Sequence, residues 1–383
     1  MPGLGNAGAE AKHPARTMPF NELLAGLEAA RERRMVSSRF DQATGRQLWC
    51  YTNHCVYENG WDEFSLLARG LVLHPAERRV VATPFSKFFN AGERGRTIPD
   101  LPFETFEKVD GSLAIIHRHG GRWRAATKGA FDSPQAAWTE ARLAAQDTGA
   151  LVAGTTYLAE AVYPENRIVV HYPEPALVML AAYREDGTEL GFAELAEAAA
   201  ALGWRAAERH AYPDFAALLA DAKVLPASAE GFVLRFADGL RLKVKGEEYR
   251  RIHALISRCT PLAMWEAMAA GDDMEAVRRD LPEEFWTDFD AITGLLGGRV
   301  ADLTARIEAA GASAAGMSDK ELGLALTSFP ADVRPFLFPW RKAGGRLEGK
   351  TRQTLFRALR PTGNNLDGYV PSYAMGRVLD EAG

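Results

Sequence analysis

The stretch from Gly231 to Lys245 leaves its chain few options. Gly231-Phe-Val-Leu-Arg-Phe236 and Leu240-Arg-Leu-Lys-Val-Lys245 flank Asp238-Gly239, a pair that tight hairpins favour because the turn positions need positive φ. In the second strand Leu240, Leu242 and Val244 alternate with Arg241, Lys243 and Lys245. Successive strand side chains point to opposite faces. The hairpin therefore buries one face and presents three cations in a row on the other.

Another strand-like run carries a lysine. Phe103 and Phe106 lead into Glu107-Lys108-Val109-Asp110-Gly111-Ser112, and Leu113 to Ile116 follow. The pattern predicts one extended run over Glu104–Ile116, with Lys108 and Asp110 on the same face. A lysine of suppressed pKa is a nitrogen nucleophile. A carboxylate beside it could orient the amine or a metal ion.

The 383 residues suit about two domains. A net charge of −5 argues against a uniformly basic coat but leaves room for a local basic groove. The cysteines, Cys50, Cys55 and Cys259, are odd in number and form no Cys-x-x-Cys pair. That argues against a zinc site or disulfide framework and for a reduced, cytoplasmic setting. No run is apolar for long enough to cross a bilayer. Residues 1–17, rich in Gly, Ala and Pro, read as a flexible leader.

Helical periodicity marks Asn21–Arg33, and strand-like runs cover Leu48–Val56, Leu66–Leu73, Val80–Pro84 and Arg122–Lys128. Ser133 and Pro134 are suited to the N-cap and first position of a helix running to Ala145. Helical patterns return over Phe192–Leu202 and Pro213–Ala222. Beyond Glu247 strand signals end. The expected fold class is α+β, with an antiparallel-sheet domain over 18–250 and an all-α domain over 251–383.

Partners for Lys108 follow in order. Downstream stand Thr127-Lys128-Gly129, Thr156-Tyr-Leu-Ala-Glu160, Tyr163-Pro-Glu-Asn-Arg-Ile-Val-Val170, Glu230-Gly231 and Lys243-Val-Lys245; upstream stand Arg69-Gly70 and Ser86-Lys87-Phe-Phe-Asn90. Over Arg69–Lys245 this order resembles the covalent nucleotidyltransferase superfamily of polynucleotide ligases and capping enzymes. Within it, Arg-Gly, Ser-Lys-Phe-Phe-Asn and Pro-Glu-Asn-Arg-Ile-Val-Val resemble the phage T4 RNA ligase family, the branch linked to tRNA repair.

The resemblance implies an ATP-grasp-like nucleotidyltransferase fold and an ATP-dependent RNA ligase that joins 3′-hydroxyl and 5′-phosphate ends. Lys108 is then the nucleophile that carries AMP. Lys243 and Lys245 would reach the α-phosphate, and Arg69 and Lys87 the β- and γ-phosphates. Lys128 would be a further phosphate or substrate contact, and Glu160 would hydrogen-bond the ribose. Gly111 and Gly231 would allow close backbone approach. Glu107 falls within the nucleotide-binding motif, although by itself it reads as structural. Mg²⁺ or Mn²⁺ is expected, with Glu230 the first carboxylate near it and Asp110 the second. Asn166 and Arg167 suit either a turn or the site. DNA ligation, GTP-dependent capping and non-catalytic RNA binding are alternatives on the same fold. No β-barrel pattern follows Lys245, which disfavours the first two.

Val333–Arg360 carries eight Lys or Arg against the one acid Glu348, with Phe336, Phe338, Trp340 and Phe356 interleaved. Arg341, Lys342, Arg346 and Lys350 are candidate RNA contacts, while the aromatics suit a core. The implied partners are RNA, including nicked tRNA, and an end-healing kinase-phosphatase. A monomer of bacterial or phage origin, without membrane attachment, is expected.

Overall fold

The computed structural model describes residues 12–93, 97–166, 168–281, 285–361 and 366–372. The described residues divide into two compact units, one up to Ile252 and one from His253. The strands of the first unit are β1 (Val36–Asp41), β2 (Arg46–Tyr51), β3 (Arg69–His74), β4 (Arg79–Ala82), β5 (Phe89–Asn90), β6 (Phe103–Glu107), β7 (Ser112–His119), β8 (Arg122–Ala126), β9 (Thr156–Val162), β10 (Ala176–Tyr183), β11 (Arg205–Ala206), β12 (Arg209–His210), β13 (Gly231–Phe236) and β14 (Arg241–Lys245). They form three sheets, ordered β1-β2-β3-β4, β11-β10-β9-β7-β8 and β12-β6-β13-β14-β5. Pairing is antiparallel except at two sheet edges, where β10–β11 and β14–β5 run parallel, so the second and third sheets are mixed and the first is wholly antiparallel.

Period-two patterning explains how the first two sheets stack. Leu48, Cys50 and Val72 of one sheet pack against Ile115, Leu158 and Ala181 of the other. The intervening residues Trp49, Leu71 and Leu73 point away, onto Leu23, Leu27 and Ala30 of the helix Phe20–Glu32. Ala114, Ile116, Tyr157 and Ala159 face the outer side of the second sheet, where Leu143, Leu195 and Ala199 cover them. The hairpin β13–β14 buries Phe232, Leu234, Leu242 and Val244 against Leu218, Leu219 and Ala222 of the helix Phe215–Val224. Ser133 caps the helix Pro134–Ala144, its side chain accepting from the N–H of Ala136.

Four expectations need correction. The run expected over Glu104–Ile116 is two strands in different sheets, β6 and β7, with Lys108–Gly111 crossing between them. The run over Leu48–Val56 ends at Tyr51 because Thr52 caps a helix, Asn53–Tyr57, by accepting from the N–H of Cys55. Likewise the first part of Leu66–Leu73 closes a short helix, Glu63–Leu67, held by a capping box at Asp62 and Ser65. Residues 12–17 of the expected leader are ordered. The His13 N–H donates to Gly187 O (2.9 Å) and Arg16 donates to Thr83 Oγ1 (2.6 Å) and Val80 O (2.8 Å). Residues 1–11 lie outside the described residues.

The described elements of the second unit are helical, among them Pro261–Ala270, Met274–Asp280, Trp286–Ser313, Asp319–Ala325, Arg334–Lys342 and Gly349–Ala358. Leu303, Ile307, Val333, Phe336, Leu337, Leu355 and Phe356 form its core. Phe336 and Phe356 are therefore core residues, whereas Phe338 stays partly exposed.

Candidate active site

The end of β6 delivers Lys108 to the end of β13. The Lys108 N–H donates to Gly231 O (2.8 Å), extending the β6–β13 ladder by one step. Its Nζ then lies 2.7 Å from Oε2 of Glu230, and Lys245 Nζ lies 3.0 Å from Oε1 of the same carboxylate. Glu230 is almost wholly buried, as is Lys245, while the Lys108 side chain keeps 20 % of its surface open. A buried carboxylate thus holds two ammonium groups side by side, one of them accessible.

Glycines make this approach possible. At Gly231, φ is +142°, and a Cβ there would stand 2.1 Å from Val244 O and 2.7 Å from the Lys245 Cα. Only glycine tolerates that backbone without strain, and the close pass sets Glu230 beside Lys245. At Gly111 a Cβ would meet Ala161 O at 2.6 Å and Glu160 Cγ at 3.1 Å, so the crossing segment lies directly on β9.

Glu160 reaches the cluster from β9. Burial pushes its carboxyl up to about 7, Lys108 opposes that rise, Glu230 adds to it, Arg69 opposes it and Asp110 adds to it. A carboxyl raised from its ordinary 4.5 binds more protons in the folded chain than in the unfolded one. Its relative stabilisation is present below about 4.5 and is lost as pH rises through about 7. Glu160→Gln removes the group that must ionise. It is expected to raise the melting temperature above that of the wild type at pH 8, and the difference should close by pH 4. A constant difference across a thermal-melt pH series would contradict this.

A second group of cations gathers around Tyr51 at the end of β2. Lys87 and Lys128 donate to Tyr51 Oη at 3.4 and 3.2 Å, and their Nζ atoms lie 4.8 and 4.5 Å from its ring centroid. Trp61 and Phe89 complete the surround of Lys87, at 5.2 and 5.5 Å. Arg69 opens β3, its guanidinium 5.4 Å from the Phe88 ring, and its Nη1 is buried with no hydrogen-bond partner. Trp61 Nε1 is likewise buried without one. Buried donors are nearly always satisfied, so these two mark where an acceptor is wanted. Gly70, at φ +95°, lets β3 pass within reach of Lys128: a Cβ there would lie 3.3 Å from the Lys128 Cα. Lys243 joins through β14, where it pairs with Asn90 of β5.

The structure thus brings together Lys108, Glu230, Lys245 and Glu160, and separately Lys87 and Lys128 at Tyr51. Other expected residues have internal roles. Asp110 is buried, and its carboxylate is taken up by other partners. Its Oδ2 accepts from the N–H groups of Val169 (2.9 Å) and Val170 (2.7 Å), and its Oδ1 from Tyr249 Oη (2.7 Å). The same-face geometry expected of Lys108 and Asp110 does not apply, because both lie in the crossing between β6 and β7 and not in a strand. Glu107 is held by both Nη atoms of Arg205, at 2.5 and 2.9 Å, which is the structural reading. Asn166 accepts from Ser112 Oγ (2.9 Å) and Gln135 Nε2 (3.2 Å) and donates to Ala161 O (2.8 Å), fixing its turn. Arg167 lies outside the described residues. Arg241, expected on the cationic face of the hairpin, is instead buried in an ion pair with Glu189. In the second unit Arg341 is committed to Asp319 and Ala314 O, while Lys342, Arg346 and Lys350 are exposed.

Tyr51 and Trp61 escaped the sequence reading. An aromatic in an apolar strand reads as core, and only the arrival of Lys87 and Lys128 distinguishes Tyr51 from Trp49 beside it.

Among the described residues no helix is long and apolar enough to cross a membrane, and no three His, Cys, Asp or Glu are grouped to hold a metal. The sequence pattern of a family described as RNA ligase matches residues 67–249. RNA ligase 1 of bacteriophage TS2126 is 32% identical over 130 residues, a match covering 30% of this chain and 33% of that protein. The chain thus spans about a third of that curated relative's length. Two solved forms of an archaeal ATP-dependent RNA ligase align at 16% and 15% identity, each with a TM-score of 0.46, covering 71% and 75% of this chain and 74% and 83% of theirs. Residues 67–249, which carry Lys108, Glu160, Glu230, Lys243 and Lys245, match the pattern of the RNA ligase family and share 32% identity over 130 residues with the phage enzyme.

Proposed function

We propose that the chain is an ATP-dependent RNA ligase that works through a lysyl-adenylate. The observation that carries this reading is the sharing of one buried carboxylate, Glu230, by Lys108 and Lys245. An ammonium must lose its proton before its nitrogen can attack, and a nearby carboxylate alone would hold that proton in place. Lys245 takes the other oxygen of that carboxylate and so sets a second cation beside the attacking amine.

In the first step the Lys108 amine attacks the α-phosphorus of ATP. The N–P bond forms, the bond to the bridging oxygen breaks, and pyrophosphate leaves with the electron pair. Lys243 and Lys245 face the negative charge that builds on the α-phosphate. Arg69, with its unsatisfied Nη1, suits the departing phosphates, as do Lys87 and Lys128 at Tyr51. AMP then passes to the 5′-phosphate of an RNA end, and a 3′-hydroxyl displaces it to form the phosphodiester.

The donor set suits a divalent ion that keeps most of its water and meets the protein through Glu230 or Glu160. Mg²⁺ or Mn²⁺ bound that way would supply positive charge to the phosphate oxygens. Both oxygens of Asp110 already accept hydrogen bonds, which makes it the weaker candidate for that ion. Nicked tRNA remains the proposed substrate, with ends prepared by a kinase-phosphatase, in the cytoplasm. The exposed Lys342, Arg346 and Lys350 are proposed RNA contacts of the second unit.

The test is incubation with α-labelled ATP and Mg²⁺ followed by a denaturing gel. An acid-labile label on Lys108 is expected, and it should chase into an RNA carrying a 5′-phosphate. Absence of label refutes the mechanism. Label from GTP alone points to capping, and transfer to DNA alone to DNA joining.

A further inference from the structure

The first unit holds a second cationic site, away from Lys108. Three hairpin tips rim one cleft of about 560 Å³: Ala43 and Thr44 between β1 and β2, His74, Glu77 and Arg79 around the β3–β4 turn, and His119, Gly120, Arg122 and Arg124 around the β7–β8 turn. Three guanidinium groups line it against one carboxylate, Glu77, which Arg79 Nε holds at 2.5 Å. Arg124 is also tied to Glu140 at 3.1 Å, whereas Arg122 is exposed and Arg79 keeps 44% of its side-chain surface open. The imidazoles of His74 and His119 stack with centroids 5.9 Å apart. Burial, then the neighbouring Arg46, Arg79 and His74, hold His119 below its ordinary range, a sign of the positive field there.

Two lining residues have unmet hydrogen-bonding capacity. Nδ1 of His119 and Nε of Arg124 are buried with no partner. A phosphate oxygen answers both the charge and the missing acceptor. The cleft exceeds what one phosphate fills, and its cations are spread over separate hairpins, which suits a chain of phosphates. It also lies at the far end of β7. That strand begins four residues after Lys108 and ends at His119, about 23 Å along at the usual strand rise.

We propose that this cleft binds the phosphodiester backbone of an RNA strand at a distance from the ligation chemistry, a role that rests on the RNA ligase reading. Contacts of this kind position a strand without reading its sequence. The β7–β8 and β3–β4 turns would then act as a clamp on the part of the substrate lying beyond the joined ends.

The experiment compares the full-length wild type, the double variant Arg79→Ala/Arg122→Ala and the single variant Glu77→Gln. Fluorescence anisotropy with a labelled single-stranded RNA is read across a salt series, and lysine labelling from ATP is read on the same preparations. The double variant is expected to bind RNA about tenfold more weakly, with a log–log salt slope shallower by about 1.4 for two lost contacts. Glu77→Gln should bind more tightly, and labelling should match the wild type in both. Unchanged RNA affinity and slope in the double variant would overturn the cleft even where labelling persists. No tightening in Glu77→Gln would also count against it. Failure of the wild type to label would instead strike the ligase reading and leave the RNA-binding comparison to stand by itself.

Discussion

Lys108→Arg takes up no covalent AMP from ATP, with labelling reduced by at least about 10⁴-fold. Arginine keeps the positive charge and can keep the ion pair to Glu230, but its guanidinium stays protonated and offers no lone pair. The variant should therefore fold as the wild type does and still bind ATP reversibly. A fluorescence titration with ATP, beside the gel for covalent label, separates the two properties. Residual label on Lys108→Arg would mean that another side chain is the nucleophile. Lys245→Met would then be the informative companion, since it leaves Glu230 paired with Lys108 alone.

Asp110→Ala is expected to cost about 4 kcal/mol of stability, because it leaves three donors without their acceptor. Those donors are the N–H groups of Val169 and Val170 and the hydroxyl of Tyr249. They tie the crossing segment to chain 59 to 139 residues away, so the loss should appear as a lower denaturant midpoint. Asp110→Asn keeps an acceptor for both N–H groups, and its amide can donate to the Tyr249 hydroxyl if that rotates. It should restore most of the stability and label with ATP much as the wild type does. An Asn variant of native stability that has lost metal-dependent labelling would return Asp110 to the metal.

What the sequence made legible follows from how local each signal is. The β13–β14 hairpin, the Ser133 cap and the order of the motif residues depend on neighbours within a few positions, and they read correctly. The crossing between β6 and β7 did not, because nothing in Lys108-Val109-Asp110-Gly111 says that the next strand joins another sheet. Arg241 looked like an open cation because Glu189, 52 residues away, is brought to it only by tertiary packing. Tyr51 was hidden for the same reason, its partners Lys87 and Lys128 being 36 and 77 residues distant. The family resemblance put Lys108 and Glu230 in one nucleotide site, with Glu230 near the metal, but their direct ion pair was not foreseen, since 122 positions separate them.

That separation has a consequence for the life of the chain before it is complete. During synthesis Lys108 emerges long before Glu230, Gly231 and Lys245, and until the last of these has cleared the ribosome it lacks the neighbours described above. Under the proposed mechanism, the growing polypeptide is expected to take up no AMP from ATP while its first two sheets assemble. On that reading, reactivity waits for β14 to pair with β13 and seat Lys245 against the carboxylate that Lys108 also contacts. A truncated or stalled product ending before residue 245 would not trap nucleotide, so the timing of activation is written into the order of the strands.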